Sequence, residues 1–412
     1  MRMPEAPAID ASRVIADLRE LARRTSDDRG AQRLAWSRTW REAREFLGEL
    51  LGELGVEAEL DPAANLWARL DGAGPGAPAL AVGSHLDSVP DGGWLDGALG
   101  VIAAVGVLRA WAGADRPPPR SLLFVDWADE EGARFGRSLF GSSAWTGSFD
   151  PSELEGVRDA ENMAAAEVLA ANGVELAGLG APLGERPGAY LELHIEQGPV
   201  LEAEGDSVSA VAGCTGVERH RLRFHGQASH AGTTPMDARR DPGLVAFETA
   251  LAVERTARQH GGVGTTGAVE LHPGIPTAVP GTAELVVDLR HRDSGELEAM
   301  LDEVVDFARE AAEARGCEAS YEEVWRIEPI PFDRELVGLA TEVVREAGGR
   351  AEPLTSGALH DAAEVARVLP AAMLFCPSIG GLSHAAGEDT GEAELTVAIE
   401  AFGELVGRAL AL

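Results

Sequence analysis

The chain has 412 residues, 45% of them hydrophobic, which is longer than a single core usually serves and predicts two domains. A formal net charge of −33 excludes the basic footprint that nucleic acid or an anionic membrane would require, and lysine is absent, so all 35 basic residues are arginines. That balance speaks of an acidic surface, from coding bias or a high-salt habitat, and not of the reaction.

No apolar run approaches the roughly 18 to 20 residues of a membrane span, and MRMPEAPAIDASRV lacks the apolar stretch of a signal peptide, so a cytoplasmic location is expected. Cys214, Cys317 and Cys376 are far apart without a CxxC pair, and read as small buried residues of a reducing compartment.

From about Ala11 to Leu54, apolar residues recur at helical spacing in ASRVIADLRELARR and REAREFLGELLGELG, the second stopping on Gly55. AVGSH and SLLFVDW read as short buried strands, with GALGVIAAVGVLRAWAG as a buried helix between them, the alternation of an α/β sheet. From about Gly213 to Trp325 the order becomes strand VERHRLRFHG, helix DPGLVAFETALAVERTARQHGG, strands GAVELHPG and TAELVVDLRHR, serine-capped helix SGELEAMLDEVVDFAREAAEARG and strand CEASYEEVWR. That βαββαβ order is the split βαβ, or ferredoxin-like, motif. After it, DRELVGLATEVVREAGG and the segments to Leu412 return to the α/β pattern of the N-terminal half. The expected architecture is a discontinuous α/β domain, residues 1–212 and 326–412, with an inserted ferredoxin-like domain over 213–325.

Chemistry concentrates in loops after the apolar runs. His85, Asp87 and Asp96 follow the first, and Asp129-Glu130-Glu131 end the second. An imidazole, a carboxylate able to bridge and paired glutamates can hold metal ions and leave one acid free as a base. Lone histidines such as His220, His260 and His291 are ordinarily solvated or hydrogen-bonded, and an acidic pair such as Glu322-Glu323 is ordinarily a solvated face. Only the joint occurrence, extended by His194 and His384, points to a two-metal hydrolase. Whether both Glu130 and Glu131 bind metal stays open, although neighbouring strand residues point to opposite faces and regular geometry would turn only one inward.

GSHLDSVPDGGWLDGALGV, DEEGARFG, ELHIEQGPVLE, GQASHAGTTPM and LSHAAGED resemble, in order and spacing, the signatures of the M20-type metallohydrolases. The resemblance runs from about residue 80 to 390 and is to the branch of N-carbamoyl-L-amino acid hydrolases, β-ureidopropionases and allantoate amidohydrolases. It implies two divalent ions per subunit, zinc, manganese, cobalt or nickel, with Asp96 bridging them. His85 and His194 would complete one site, and Glu131 and His384 the other. Asp87 would hydrogen-bond the His85 ring from behind, and Glu130 would be the general base. His230 would stabilise the oxyanion, commonly in the partner subunit's site, so a homodimer through the inserted domain is implied, that domain also serving as a lid hinged near Gly213 and near Trp325 to Pro329.

For the substrate, the resemblance assigns Arg290 to a carboxylate, Gln197 to a ureido or amide group and His360 to the neighbourhood of the scissile bond. Two positions depart from the family: Thr277 replaces an asparagine thirteen residues before Arg290, and Leu359 replaces a glycine before His360. Hydrolysis of N-carbamoyl-L-amino acids to amino acid, carbon dioxide and ammonia is the expected activity, with allantoate, N-acyl-amino acids or dipeptides as alternative substrates. A metal-binding scaffold without activity is the reading from a different class; the retention of Glu130 and all five ligands opposes it.

Overall fold

The computed structural model describes residues 6–74, 76–179, 181, 183–184 and 186–412. The chain divides into two units, Met1–Ala212 with Pro331–Leu412, and Gly213–Ile330.

The first unit is built on a nine-stranded sheet ordered Ile330–Pro331, Ser209–Cys214, Ala371–Cys376, Ala189–Ile195, Leu80–His85, Leu122–Trp127, Leu66–Leu70, Ala58–Leu60, with Leu354–Ser356 also pairing Ser209–Cys214. Its four central strands, from Ala371–Cys376 to Leu122–Trp127, are mutually parallel and buried along their whole length. Continuous apolar runs such as LLFV suit this position because both faces of a parallel sheet are covered. Helix Ala98–Ala112 is apolar nearly all round; it lies against Leu80–His85 and in turn receives helices Ala11–Thr25 and Glu392–Ala409. The outer helix Ala11–Thr25 turns only Val14, Ile15, Leu18 and Leu21 and a few neighbours inward, and Asp10 caps it by accepting the Arg13 N–H.

The second unit has an antiparallel sheet ordered Val263–His272, Thr282–His291, Gly216–His225, Glu318–Ile327. Strand Thr282–His291 alternates strictly, sending Ala283, Leu285, Val287 and Leu289 inward to a core shared with helices Pro242–His260 and Ser294–Ala314. Glu284, Asp288 and Arg290 take the other face, where Glu284 and Asp288 pair with arginines of Gly216–His225.

Two expectations are corrected. The last strand continues past Trp325, with Arg326 and Ile327 still paired to Glu218 and Val217, so the unit ends at Ile330 and not at 325. The extra length follows a register shift between Glu323 and Trp325, which lets the strand resume pairing. The second helix is capped by Asp293, whose carboxylate accepts the Glu296 N–H at 3.0 Å, while Ser294 is the first helical residue and its hydroxyl donates to Glu328 at 2.6 Å.

Candidate metal centre

Four parallel strands end on one side of the sheet, and the loops leaving those ends carry the polar side chains. His85 closes its strand, Glu130 and Glu131 follow Leu122–Trp127, His194 lies one residue from the end of Ala189–Ile195, and His384 follows Ala371–Cys376. Asp96 enters from the loop before helix Ala98–Ala112. At the turn, Gly97 has φ 62° and passes so close to His85 that a Cβ would lie 2.4 Å from the ring.

Asp96 is the shared element. Its Oδ1 lies 3.3 Å from His194 Nε2 and 3.7 Å from His85 Nε2, while its Oδ2 lies 3.4 Å from His384 Nε2. Glu131 Oε2 is 3.3 Å from the same His384 nitrogen. Two donor groups, His85-Asp96-His194 and Asp96-Glu131-His384, thus meet at one carboxylate. These are nitrogen and carboxylate donors of the kind divalent transition metals take, and Glu131 Oε1 is buried without a hydrogen-bond partner, so the residues fit a metal. Glu130 stands beside them, its Oε2 3.7 Å from His85 Nε2, and belongs to neither group.

The tautomers are set from behind. His85 Nδ1 donates to the Asp87 carbonyl at 3.1 Å and His194 Nδ1 to the Ile195 carbonyl at 2.9 Å, which turns Nε2 of both rings toward Asp96, with the Gly97 N–H also 3.3 Å from His194 Nε2. Asp87 therefore acts differently from expectation. Its carboxylate is 3.7 Å from the ring, beyond hydrogen-bond range, and instead accepts the N–H groups of Glu130 and Glu131, both at 3.1 Å. This also explains why strand alternation does not separate the two glutamates. The strand ends at Trp127, Asp129 takes left-handed φ 56°, and Asp87 pins both following amides to one site. Asp129 is held in that conformation by Trp36 Nε1, which donates to its carboxylate at 2.6 Å.

Electrostatics follow from burial of so many acids. Burial, then the charges of Asp361 and Glu131, push Glu130 well above the usual carboxylate range. Glu131 rises to about 8 through burial and the Asp96 charge, and Asp129 to about 8 through burial and Asp87. His85 is driven down to about 3 by burial. For His194 burial opposes charge, but the hydrogen bond and charge of Asp96 outweigh it and carry the ring up to about 9. His384 reaches about 9 chiefly through Asp96.

Three further acids, outside the set expected from sequence, complete the site. Glu388 Oε1 accepts the N–H groups of Leu95 and Asp96, at 3.1 and 2.9 Å, and its Oε2 shares the single hydroxyl proton of Ser383 with Asp96 Oδ2, at 3.0 and 2.8 Å from Ser383 Oγ. Glu192 accepts from Ser84 Oγ at 2.7 Å, Tyr190 OH at 3.2 Å and Ala362 N–H at 3.1 Å, tying the His85 and His194 strands to the segment after His360. Asp361, fully buried beside it, is the largest charge acting on Glu130. Glu192, His194 and His360 also come within ligand distance of one another, but both Glu192 oxygens are engaged and His360 Nε2 is 2.9 Å from Ser356 Oγ, so this group braces the centre. An acid inside the apolar run AYLELHI, two residues before His194 and therefore on its face, was the available signal for Glu192.

Of the substrate residues, Gln197 lies at the centre. Its backbone is left-handed, φ 57°, and its Nε2 donates to Asp96 Oδ2 at 2.7 Å, leaving Oε1 buried and unpaired. His360 packs edge-on against His194, ring centroids 4.6 Å apart. His230, Thr277 and Arg290 belong to the second unit. His230 and Thr277 are neighbours there, both exposed, with Ala231 N–H donating to the Thr277 carbonyl at 2.9 Å. Arg290 lies at the far end of Thr282–His291, where its Nε donates to Asp288 at 2.8 Å and Asp288 also pairs with Arg219.

A nitrogen and carboxylate cluster at the strand ends of an α/β unit, its side chains buried except for that of His384 and with Glu130 beside it in neither donor group, is the arrangement of a metal-dependent hydrolase. Residues 81–408 match the model of peptidase family M20/M25/M40, and the chain belongs to that family. It is 35% identical over 383 residues to an N-carbamoyl-L-amino acid amidohydrolase of Geobacillus stearothermophilus, covering 90% of this chain and 91% of that one. It is 31% identical over 385 residues to an allantoate amidohydrolase of Bacillus subtilis, covering 92% and 93%. A hydantoinase/carbamoylase family amidase from Burkholderia ambifaria superposes with a TM-score of 0.89 at 33% identity, covering 98% of this chain and 99% of that one. The chain is a metal-dependent amidohydrolase.

The site's electrostatics and bracing generate two predictions. Glu131 and Asp129, at about 8, hold protons that the unfolded chain releases near its ordinary 4.5 and 3.8, so their contribution to stability falls as pH rises toward 8. His194 and His384 contribute while protonated, fully below 6.5, and lose this as pH passes about 9. His85, at about 3, acts oppositely but only below 6.5. Chelator-stripped protein should therefore lose thermal stability between about pH 6.5 and 9, and metal-loaded protein much less; equal slopes in differential scanning fluorimetry would contradict this. Glu388→Gln should weaken metal affinity about 10-fold to 100-fold in competition with a chromophoric chelator, and unchanged affinity would remove Glu388 from the centre's support.

Proposed function

We propose that this enzyme hydrolyses N-carbamoyl-L-amino acids to the L-amino acid, carbon dioxide and ammonia, using two divalent ions, zinc or manganese by preference, with cobalt or nickel also accommodated by the same donors. The observation that carries the reading is the division of Asp96, one oxygen toward His85 and His194 and the other toward His384 and Glu131. Two cations held there would supply Lewis acidity to the scissile carbonyl and acidify a water.

The chain's residues divide the remaining work. Glu130 takes a proton from the attacking water and returns it to the leaving nitrogen; burial and neighbouring charges raise its affinity for that proton. Arg290, its guanidinium steadied by Asp288, receives the substrate carboxylate, and the unpaired Gln197 Oε1 accepts from a ureido N–H. His230 donates to the oxyanion.

The assignment places this enzyme in a homodimer formed through the 213–330 unit. His230 pairs with Ala278 just before strand Thr282–His291, whereas Arg290 lies eight residues beyond that strand's start, about 27 Å from Thr282 at 3.4 Å per residue. One small substrate reaches both only if they come from different subunits. The same unit exposes Leu244, Phe247 and Leu251 on helix Pro242–His260, beside the edge strand Val263–His272 with Val263 and Val269 exposed, a face suited to a second copy.

The allantoate amidohydrolase relatives keep a second substrate in play, and Thr277 removes the amide that the family places near the substrate. A panel of N-carbamoyl, N-formyl and N-acetyl amino acids, allantoate and dipeptides, with metals added back, tests the reading. The highest kcat/KM is expected for an N-carbamoyl-L-amino acid, and a preference for allantoate or dipeptides would replace that assignment. Glu130→Gln should keep its metals and lose about 100-fold to 10,000-fold in kcat. Mixed Glu130→Gln and His230→Ala chains should recover about a quarter of wild-type activity, since half the dimers formed at random contain one intact site of two. No recovery after verified subunit exchange would confine His230 to its own chain.

A further inference from the structure

Residues 226–241 of the second unit form a loop that presents His230. Its base is closed by Gly226 N–H donating to Gly281 O and Gln227 N–H donating to Arg240 O, both at 2.9 Å. The two sides meet so closely that a Cβ on Gly226 would lie 2.3 Å from Arg240 O. One flank is zipped to residues 277–279 through Ser229 with Val279 and His230 with Ala278. Across the inside, Arg239 Nη2 donates to Ala231 O at 2.6 Å and its Nε to Thr234 O at 3.2 Å. Within that span, Thr234 N–H donates to His230 O at 3.1 Å and Gly232 N–H donates to His230 Nδ1 at 3.1 Å.

The last contact decides the chemistry of the ring. A ring nitrogen that accepts an amide N–H carries no proton itself, so neutral His230 bears its proton on Nε2. That places a hydrogen-bond donor at the outer edge of an exposed ring, on a loop whose shape is fixed by hydrogen bonds on both sides. The planar guanidinium fork of Arg239 is what spans two carbonyls three residues apart; an ammonium is a single point of donation and a neutral alkyl chain makes no such bond. We propose that Gly232 and Arg239 preset His230 as an Nε2–H donor: Gly232 selects the tautomer, and Arg239 is a positioning residue that keeps the loop in the shape that lets it do so. The inference rests on reading His230 as the oxyanion's donor. A donor fixed before the substrate arrives needs no reorganisation when charge develops on the oxygen, which is the condition under which such a hydrogen bond accelerates a reaction.

Long-range 1H–15N spectra of the 15N-histidine-labelled full chain, with His230 assigned by difference against His230→Ala, test the tautomer directly. A protonated Nε2 and an unprotonated Nδ1 are expected in the neutral ring, and an Nδ1–H or evenly mixed population would overturn the proposal. With the fastest substrate among the N-carbamoyl, N-acyl, allantoate and dipeptide candidates, Arg239→Met should lower kcat about 10-fold to 100-fold, less than outright loss of an oxyanion donor, with KM within about 2-fold and an unchanged melting temperature. Arg239→Lys should recover part of the loss. Wild-type kcat in Arg239→Met would remove Arg239 from the device, and if that variant does not fold, the tautomer in the wild-type protein decides alone. Full turnover in His230→Ala would instead remove the oxyanion role, while the spectrum would still report whether the ring is preset.

Discussion

Asp96 offers one carboxylate to three histidines, His85, His194 and His384, and the catalytic unit is arranged to make that sharing possible. The arrangement starts in the main chain. Glu388 accepts the Asp96 and Leu95 amides, Gly97 lets the chain turn against the His85 ring without a clash, and Gln197 and Ser383 both donate to Oδ2. A carboxylate fixed by so many donors loses its freedom to rotate toward solvent, so its two oxygens keep facing two separate donor groups. The division into two donor groups is thus a property of one side chain's restraint.

Restraint of this kind concentrates negative charge. Asp87, Asp96, Glu130, Glu192, Asp361 and Glu388 are all buried, and buried carboxylates are costly unless hydrogen-bonded or paired. Much of the answer is backbone: amides of Glu130, Glu131, Ala362, Leu95 and Asp96 point into these groups. Cationic help comes from two arginines behind the His85–Asp96 loop. Arg44 pairs with Asp126 at 2.7 Å, and the fully buried Arg33 donates to the carbonyls of Leu86 and Gly93. Neither forms an ion pair with Glu130 or Glu131, whose proton affinities stay high. The surplus negative charge at the open side of the cluster is what a cation would neutralise, and the same surplus keeps Glu130 able to hold a proton.

Elements whose periodicity is strong were legible from sequence: the apolar strands Leu80–His85 and Leu122–Trp127, the buried helix between them, and the amphipathic elements of the second unit. So were the residue types of the centre, because histidines and acids occur together after successive apolar runs, a combination that each alone would not make informative. What stayed hidden depends on three-dimensional approach. Asp87 was expected on the His85 ring, yet a main-chain carbonyl does that work and the carboxylate reaches forty residues along to the glutamates. The pairing of Glu130 with Glu131 defied strand alternation because a left-handed Asp129 intervenes, and no periodicity announces a single left-handed residue. Glu388 was hidden in plain composition, one acid among sixty-eight, until its distance to Asp96 N–H gave it a role.

The Asp96 centre and the exposed Thr277 differ in how tightly their surroundings hold them, and that difference bears on where this chain is free to vary. The groups around Asp96 are coupled: Glu192 joins three segments and Glu388 two, so substitution at any of them propagates through shared hydrogen bonds. Thr277 is different. It is exposed, and its link to His230 runs through a main-chain carbonyl that any side chain would leave in place. Exchange of its side chain leaves the main-chain contacts that present His230 intact. Arg290 sits about eight residues along the neighbouring strand, held by Asp288 independently of that loop. The side chain can therefore vary at Thr277 while Arg290, His230 and the Asp96 centre are each held by contacts of their own.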